Sequence, residues 1–588
     1  MIRPLNDLRV LVLDCQATGA GPDKGHLLEI GWVETCAAAS ACPQALSATS
    51  YLARLPREAE IPAAVERVTG ISKASLADSL PPVDIWRNVV QTTVEIAASD
   101  RMIVCPTVIH YARYEDPFLK NLHHLNDPAA KFPLRIICTH AIARRLLPGL
   151  PRKGLRALAG YFGHAVPRHR RSADHAVATA VIWHHLVQTL TSRHGIDNLD
   201  QLTDWLDRTP LDNRPVRIYP IKPEARLNIP EGPGIYRMRR ANGDLLYIGK
   251  AKSLKKRVNS YFRQKGVRGE HTLEMLSQAV DLDVTCTGSA LEAAVLESDD
   301  IKRHAPPYNI ALQQGRHGLA FCSRDLLTQS ATADNIHCIG PLPDGNASAV
   351  LAGFAAWHED NGCRSGDDWI GIGTAVLGLP AAWAPPPECL AEGLVVFDRR
   401  HRRRLKRSSP LRALTGLGAA LWRAHLFEKA RAEAGPDADE DETDARDRRS
   451  REEIDWTPES VAGALEKSIM RGAQLIRRSR WFCLLSESAP AWEVEGTESG
   501  RKIVLVLEKG VVCRRKELTI QGETPVPPGY HRRMSERQKS FDWATYERLR
   551  VLTTELRRLM DAGRMLDIRL GPVALMNRRH LAKILPWV

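Results

Sequence analysis

The triplets GIY at 234–236 and YIG at 247–249 constrain the fold of this chain more than any other feature of its sequence. Between them lies Asn242 followed by Gly243, a dipeptide that favours a tight turn joining two antiparallel strands. We therefore expect a β-hairpin that carries both tyrosines on one small sheet. Apolar residues then recur at helical spacing in SLKKRVNSYF and ALEAAVLESDDIKRH, which predicts two helices packed on that sheet.

Polar residues follow this hairpin in a recognisable order. Arg257 lies on the first predicted helix and Glu297 on the second, and Asn309 closes the sequence PPYN. Together with Tyr236 and Tyr247, they resemble the GIY-YIG endonuclease domain of the UvrC/Cho type, and the likeness extends to YIGKAKSLKKRVNSYF. Taken singly, each residue has a structural explanation, because aromatic residues favour strands and helical glutamates are often exposed. The ordered set favours the nuclease.

The resemblance implies hydrolysis of a phosphodiester with one bound divalent cation, Mg²⁺ or Mn²⁺. Glu297 would hold the cation, and Tyr236 would be the general base for water, helped by Tyr247. Arg257 would clamp the phosphate through its planar set of donors, and Asn309 would fix the local backbone. A phenol with an ordinary pKa of about 10 needs nearby positive charge to lower it.

Basic residues near the hairpin are candidate contacts for a nucleic-acid backbone. UvrC-type domains often carry Lys where this chain has Arg239, which preserves the positive charge. Such contacts position a nucleic acid without reading its sequence. Across the chain, 82 Lys and Arg against 69 Asp and Glu give a net charge of +13, which favours a polyanionic partner. The candidate nucleic-acid-binding residues are Arg239, Lys250, Lys252, Lys255 and Lys256.

A second set of polar residues occupies the first 195 or so residues. A β-rich run at 8–13 ends at Asp14, and LLEIGWV predicts a strand that pairs with it. Further along, Glu115 lies in HYARYEDPFL, and His169 precedes Asp174 in HRRSADHAVATA. Hydrolysis with two metal ions requires carboxylates from distant segments and a base for the attacking water. Asp14, Glu115 and Asp174 are carboxylates from distant segments, and His169 is able to act as a base.

They resemble the DEDDh exonucleases, the DnaQ/epsilon-like superfamily with an RNase H-like fold, over about residues 8 to 190. The resemblance implies that Asp14 and Asp174 are metal ligands and that His169 is the base. Gln16 stands where the family has Glu, and Glu115 stands where it has Asp. An amide oxygen is a weaker ligand for Mg²⁺ than a carboxylate. Two alternatives stay open, a 3′-to-5′ exonuclease and a single-strand-binding cleft with impaired metal chemistry.

The length of 588 residues predicts about three or four units at roughly 150 residues each. The predicted fold class is multidomain α/β and α+β, with an RNase H-like exonuclease fold, then a small GIY-YIG α/β sandwich, then an uncharacterised α+β C-terminal region. Strand-like runs WFCLLSES and KIVLVLEKGVV and the helical YERLRVLTTELRRLM indicate that last region. The predicted ranges are the exonuclease-like domain 1–200, a linker 201–227, the GIY-YIG domain 228–315, an uncharacterised region with a basic run 316–435, an acidic linker 436–453 and the C-terminal region 454–588.

Twelve cysteines without zinc-type spacing indicate reduced thiols. The N-terminus has too short an apolar run for a signal peptide, and no stretch of about 18 apolar residues runs without a charge, so we expect a cytoplasmic protein with no membrane contact. The expected function is a metal-dependent DNA nuclease in repair, which incises as in nucleotide excision. Its expected partners are DNA, UvrA/UvrB-like proteins, and a helicase or DNA polymerase. The alternative is a non-catalytic DNA-binding scaffold that recruits a repair helicase or polymerase.

Overall fold

The computed structural model divides the chain into two compact units. The first unit is Met1–Thr285 with Pro306–Ile310, and the second is Cys286–Ala305 with Ala311–Val588. The structure describes residues 3–167, 169–211, 216–263, 269–309, 318–343, 346–359, 376–377, 385–405, 409–433, 456–494, 500–564, 566–573 and 575–576.

The N-terminal part of the first unit is built on a five-stranded sheet. Its strands are β1 (Val10–Ala17), β2 (Leu27–Thr35), β3 (Ala48–Leu52), β4 (Cys105–Ile109) and β5 (Leu134–Cys138). Their order is β3-β2-β1-β4-β5, with β1 to β3 antiparallel and β1, β4 and β5 parallel. Val10 and Val12 enter one apolar core and Leu11 and Leu13 another, because successive side chains point to opposite faces. The central strand is therefore covered on both sides.

Helices supply both cores. They are α1 (Ala63–Thr69), α2 (Pro82–Ser99), α3 (Asp116–Asn126), α4 (Thr139–Leu146), α5 (Leu155–Tyr161), α6 (Ser172–His194), α7 (Leu199–Arg208) and α8 (Pro223–Leu227). Trp183 of α6 lies in the core with Val10, and Trp86 of α2 lies in the core with Leu11. Helix α7 begins at the cap Asn198 and runs into the segment predicted as a linker, so that segment starts as ordered helix.

The predicted hairpin is formed in the rest of the first unit. It consists of β6 (Gly234–Arg239) and β7 (Leu245–Ala251), which are antiparallel, and β8 (Asp281–Cys286) completes the sheet in the order β7-β6-β8. Gly243 has φ 88°, in the left-handed region that this turn requires. Helices α9 (Leu254–Ser260) and α10 (Glu270–Gln278) accompany the sheet.

A buried seam, formed by α5 and α10, joins the N-terminal part to the hairpin part. A Cβ atom at Gly160 of α5 would collide with the side chain of Gln278 at the end of α10. Gln278 is 1% exposed, accepts from Arg240 Nε at 3.1 Å and donates to Tyr308 Oη at 2.5 Å. A small residue at position 160 is what allows the two helices to approach.

The second unit contains a three-stranded and a five-stranded sheet. Its helices are α11 (Ala290–His304), α12 (Asn346–Glu359), α13 (Pro387–Leu405), α14 (Pro410–Glu433), α15 (Pro458–Leu485), α16 (Met534–Lys539) and α17 (Trp543–Asp561). Its strands are β9 (Leu319–Ser323), β10 (Gln329–Ser330), β11 (His337–Pro343), β12 (Ala489–Glu493), β13 (Arg501–Glu508), β14 (Val511–Thr519), β15 (Leu566–Arg569) and β16 (Leu575–Met576). The sheet orders are β10-β9-β11 and β14-β13-β12-β15-β16.

Two expectations for these elements differ from the structure. The run WFCLLSES, predicted as strand-like, begins as the last residues of the helix α15, because a short apolar run has no periodicity that separates strand from helix. Helix α11 was expected on the hairpin sheet, whereas its Leu291 and Val295 are buried in the core of the second unit with Phe482 and Tyr546. The predicted helix YERLRVLTTELRRLM is confirmed as part of α17.

Some predicted segments lie partly or wholly outside the described residues. The acidic stretch 436–453 does so entirely, and the basic run 398–407 is described only to Leu405, where it ends α13. None of the helices in the described ranges combines the length and apolar character that crossing a bilayer requires.

Candidate active site

Tyr236 is the most deeply buried polar side chain of the hairpin. It lies on β6 opposite Gly249 of β7 and is 0% exposed. A Cβ atom at Gly249 would collide with the Tyr236 ring, so only glycine leaves room for the phenol at this register. Tyr247, two residues back along β7, is the diagonal neighbour on the same face, and the ring centroids of Tyr236 and Tyr247 are 6.0 Å apart. The two triplets thus pack their tyrosines against each other.

A third tyrosine links this pair to the arginine. Tyr261, at the end of α9, makes a hydroxyl–hydroxyl hydrogen bond of 2.9 Å with Tyr236. Arg257 Nη2 donates to the Tyr261 hydroxyl at 3.2 Å, and its guanidinium carbon lies 5.1 Å from the Tyr261 ring centroid. Residues four apart on a helix share one face, which explains the pairing of Arg257 with Tyr261. The result is a hydrogen-bonded chain from the guanidinium to the buried phenol.

The electrostatic setting of Tyr236 has opposing contributions. Burial raises the pKa of its phenol well above the ordinary value, and Tyr261 and Tyr247 raise it further, while the Arg257 guanidinium lowers it. The protein alone therefore holds this phenol in its protonated form at neutral pH. Additional positive charge near the hydroxyl is needed before Tyr236 accepts a proton from water.

Asn309 anchors the second hairpin strand. Its Oδ1 accepts from the backbone N–H of Ile248 at 2.9 Å, and its Nδ2 donates to the carbonyl of Ile248 at 2.7 Å. Asn309 is 8% exposed. It thus replaces a neighbouring strand for one residue of β7 and holds the position of Tyr247, in keeping with the structural role that the resemblance implies.

Glu297 lies in the middle of α11 and is half-buried. Leu291 and Val295 place this helix in the apolar core of the second unit, and Arg548 Nε donates to Asp299 at 2.8 Å there. Tyr236, Tyr247, Arg257 and Asn309 lie in the first unit. A single carboxylate suits Mg²⁺, which retains several of its own waters, so the chemistry of Glu297 fits one divalent cation.

The predicted backbone contacts are not equally available. Arg239 Nε donates to Asp283 at 3.0 Å, and the same carboxylate pairs with Arg237, so the Arg239 charge is already partly neutralised. Lys255 lies 4.0 Å from a carboxylate oxygen of Glu231. Lys252 and Lys256 are exposed, and Lys250 is half-buried on β7. The two exposed lysines are the better candidates for phosphate contact.

In the N-terminal part, Asp14 lies near the end of β1 and is 5% exposed. Gln16 Nε2 donates to Asp14 Oδ2 at 2.8 Å, and His175 Nδ1 lies 3.2 Å from Asp14 Oδ1. His175 is held in place by the start of α6, where Glu29 of β2 accepts from the Ser172 N–H at 2.7 Å. Both oxygens of the Asp14 carboxylate thus have nitrogen neighbours from the protein.

The other predicted exonuclease residues differ in how deeply they are buried. Burial and the Asp14 charge raise the pKa of Glu115, which is 3% exposed. Asp174 lies in the first turn of α6 and is half-buried, and His169 is exposed in the loop before it. Within the described residues, no group of three or more His, Cys, Asp or Glu is arranged to hold a metal ion. This donor set does not fit a pair of divalent cations.

A family model for the UvrC-like GIY-YIG domain matches residues 232–310. The chain contains a UvrC-like GIY-YIG domain. UvrABC system protein C of Carboxydothermus hydrogenoformans is 37% identical over 127 residues, which are 20% of this chain and 21% of that protein. A protein of Mycobacterium tuberculosis, whose name assigns it an exonuclease and an endonuclease, is 28% identical over 314 residues, 52% of this chain and 45% of that protein. The matches span less than half the length of these relatives.

Two solved structures are each similar to a part of the chain. The magnesium-bound N-terminal GIY-YIG endonuclease domain of UvrC from Thermotoga maritima is 33% identical and has a TM-score of 0.14, with 15% of this chain and 100% of that chain covered. Exonuclease X in complex with 5′ overhanging duplex DNA is 19% identical and has a TM-score of 0.24, with 34% of this chain and 99% of that chain covered.

Two residues of these sites were missed in the sequence. The spacing of four between Arg257 and Tyr261 on a predicted helix is the signal that indicates the hydrogen-bonded pair beside the GIY-YIG tyrosines. His175 has a weaker signal in the sequence. It directly follows Asp174, and its imidazole is able to hydrogen-bond to a carboxylate. Its contact with Asp14 joins residues 161 positions apart, which no local pattern predicts.

Proposed function

We propose that this chain is a metal-dependent DNA endonuclease that cuts phosphodiesters at the GIY-YIG hairpin. The observation that carries the proposal is the hydrogen-bonded chain from Arg257 through Tyr261 to the buried Tyr236, packed over Gly249. It lies in a segment that matches the UvrC-like GIY-YIG family model. An aromatic core alone needs neither the guanidinium nor the glycine.

Each residue then has a defined task. Arg257 binds the scissile phosphate through its fork of donors and supplies positive charge beside the phenols. Tyr236 would act as the phenolate, which the Arg257 guanidinium and a bound cation favour, and its oxygen would take the proton of the attacking water to give the neutral phenol. Tyr247 packs against it and orients it. Glu297 is the residue that holds the cation, Mg²⁺ or Mn²⁺. When bound, the cation neutralises charge on the phosphate and on the leaving 3′ oxygen.

We further propose that the cut is an incision of damaged DNA in the manner of nucleotide excision, with UvrA/UvrB-like proteins and a helicase or polymerase as partners. The names of the UvrABC relatives support this proposal. The net charge of +13 suits a DNA partner.

Incision is tested with end-labelled, lesion-bearing duplex DNA in Mg²⁺. We expect internal cleavage by the full chain, and a loss of about 10²-fold or more for Tyr236→Phe, which removes the general base, and a comparable loss for Glu297→Ala. Tyr219→Phe is the matched control, because the buried Tyr219 hydroxyl has no hydrogen-bond partner in the described residues. If the chain binds DNA but never cuts it with any divalent cation, the scaffold alternative replaces the nuclease.

The contacts of Asp14 favour a second, non-catalytic function for the N-terminal part. Gln16 and His175 occupy the Asp14 oxygens that an exonuclease would offer to cations. We infer that this part holds a DNA strand and that 3′-to-5′ trimming is weak or absent. An end-labelled single strand that the Glu297→Ala chain shortens steadily in Mg²⁺ would contradict this inference.

A further inference from the structure

Strand β14 forms one edge of the five-stranded sheet in the second unit. Within the described residues it pairs with β13 alone, because it stands first in the order β14-β13-β12-β15-β16. An edge strand leaves one row of backbone N–H and C=O groups without a partner strand. With nine residues, β14 is longer than the usual strand of about five or six, and it contains no proline. Another strand can therefore pair with this edge.

The register of β13 with β14 identifies the outward backbone groups. The N–H of Ile520, one step beyond the end of β14, donates to the Gly500 carbonyl at 2.8 Å, so Ile520 points its backbone groups towards the β13 side. Inward and outward residues alternate along an antiparallel strand. Arg515 and Glu517 therefore point their N–H and C=O groups away from β13. Among the described residues, no backbone group outside the sheet hydrogen-bonds to them.

The side chains on one face of this edge carry positive charge that is not neutralised. Arg514 and Lys516 lie two residues apart, opposite Val506 and Val504 of β13, so they share one face of the sheet. Arg514 is exposed and Lys516 is half-buried. In the part of the chain that the structure describes, neither of them makes an ion pair with a carboxylate.

The charges on the opposite face of β14 are balanced. Arg515 pairs with Glu292 of α11, and Glu517 pairs with Arg501 of β13 at 2.9 Å. The unbalanced charge thus belongs to alternate residues of the strand. A partner that reads this pattern needs negative charge at every second position.

This pattern discriminates between possible partners. Like charges opposite each other destabilise a pair of strands, so Arg514 and Lys516 disfavour a second copy of β14 and any cationic segment. Charged residues protect edge strands from unspecific pairing, but that protection does not extend to an acidic strand. A nucleic acid has no row of alternating amide donors and acceptors for the outward groups, and β14 contains no aromatic residue on which a base would stack.

We propose that β14 binds an acidic, extended segment of a partner protein, which adds to the sheet as an antiparallel strand. Residues of the segment that lie opposite Arg515 and Glu517 exchange backbone hydrogen bonds with them. Acidic residues at the alternate positions pair with Arg514 and Lys516. The binding is independent of the proposed DNA cleavage, because no residue of the GIY-YIG hairpin takes part in it.

The charge preference is tested with a fluorescent nonapeptide in which glutamate alternates with threonine, and anisotropy measures its affinity for the full chain. Arg514→Glu/Lys516→Glu should weaken binding about tenfold or more, because attraction becomes repulsion at two positions. The matched control Arg399→Glu/Arg403→Glu makes the same change of charge at exposed positions of α13 and should bind as the wild type does. A peptide with lysine in place of glutamate should not bind the wild type.

Two methylated peptides test the addition of a strand. In the paired form, the threonine N–H groups donate to β14 and the glutamate N–H groups point away from it. Methylation of the threonine nitrogens should therefore abolish binding, whereas methylation of the glutamate nitrogens should leave the affinity unchanged. Binding of the unmethylated peptide should also slow hydrogen exchange at the amides of Arg515 and Glu517.

Three results would overturn the proposal. Equal affinities for the two methylated peptides would show that charge alone attracts the peptide. An equal loss of affinity in Arg399→Glu/Arg403→Glu would show that β14 has no special part in binding. An oligothymidine that binds the wild type but not Arg514→Glu/Lys516→Glu would assign this edge to a nucleic acid instead of a protein.

Discussion

Two side chains, Gln16 and His175, determine what Asp14 is able to bind. An amide N–H and an imidazole nitrogen lie at 2.8 and 3.2 Å from its two oxygens. Divalent cations of the Mg²⁺ type are held by oxygen ligands with full or partial negative charge. The carboxylate that the sequence predicts as a metal ligand therefore bonds to protein groups instead.

An acidic side chain at position 16 should strengthen metal binding at Asp14. In a Glu297→Ala background, we expect Gln16→Glu/His175→Ala to bind Mn²⁺ about 10- to 100-fold more tightly than the unchanged N-terminal part, and to trim single strands faster. Isothermal titration measures the first effect and an end-labelled strand the second. Gln188→Glu, which adds the same charge at an exposed position, is the control. Equal Mn²⁺ affinity in all three proteins would refute the inference that Gln16 and His175 prevent Asp14 from binding a cation.

His110 makes stability depend on pH. It is 8% exposed, and burial lowers its pKa from about 6.5 to about 3, while the neutral ring bonds to Thr139 Oγ1 at 2.9 Å and to the Lys153 carbonyl at 3.1 Å. Above pH 6.5 neither the folded nor the unfolded chain binds the proton. Below it the unfolded chain does, so stability is lost as the pH falls towards the folded pKa. From pH 6.5 to 5 the loss is about 2 kcal/mol.

Urea unfolding of the first unit at pH 7 and pH 5 measures this loss. His110→Gln should be less stable at pH 7 but lose less stability between the two pH values than the wild type. Other histidines titrate in both proteins, so the comparison isolates His110. Identical losses in the two proteins would contradict the assignment.

At the scale of the element, α11 lies within the GIY-YIG match in sequence, but its apolar residues Leu291 and Val295 belong to the core of the second unit. Leu291 is 1% exposed among side chains of the second unit. Leu291→Ala should therefore lower the unfolding free energy of that unit by about 2 to 5 kcal/mol, although residue 291 lies inside the GIY-YIG match. Arg303→Ala, at an exposed position of the same helix, should change it by less than about 0.5 kcal/mol. Unfolding followed by hydrogen exchange in β13 distinguishes the two.

Elements with local signals were predictable, and those defined by distant contacts were not. The hairpin β6–β7 follows from its turn dipeptide and strand residues, and α9 and α11 follow from their periodicity and serine caps. The direction in which α11 buries its apolar side depends on a core that includes residues as distant as Phe482 and Tyr546, which periodicity does not encode. The same limit applies to the site. The tyrosines Tyr236 and Tyr247 were predictable from spacing, whereas the bond between Asp14 and His175 was not.

At the scale of the whole molecule, the seam at Gly160 should couple the stabilities of the two parts of the first unit. Gly160→Ala forces the Gln278 side chain away from Arg240 and Tyr308, at a cost of about 1 to 3 kcal/mol. Hydrogen exchange should accelerate in β1 and in β6 together. Gly21→Ala, where a Cβ atom would meet nothing within 4 Å, is the control. Acceleration confined to one strand would show that the parts open independently.

The same seam restricts which segments of the gene can be exchanged by recombination. The Gln278 side chain packs against Gly160, which lies more than a hundred positions earlier in the chain. It is hydrogen-bonded to Arg240 and Tyr308, which belong to the hairpin part like Gln278 itself. A recombination event that replaced the hairpin segment would place a different side chain than Gln278 against Gly160. One that replaced α5 would put a side chain at position 160 into the space that Gln278 fills. Descendants of this gene are thus expected to acquire or lose the two segments as a pair.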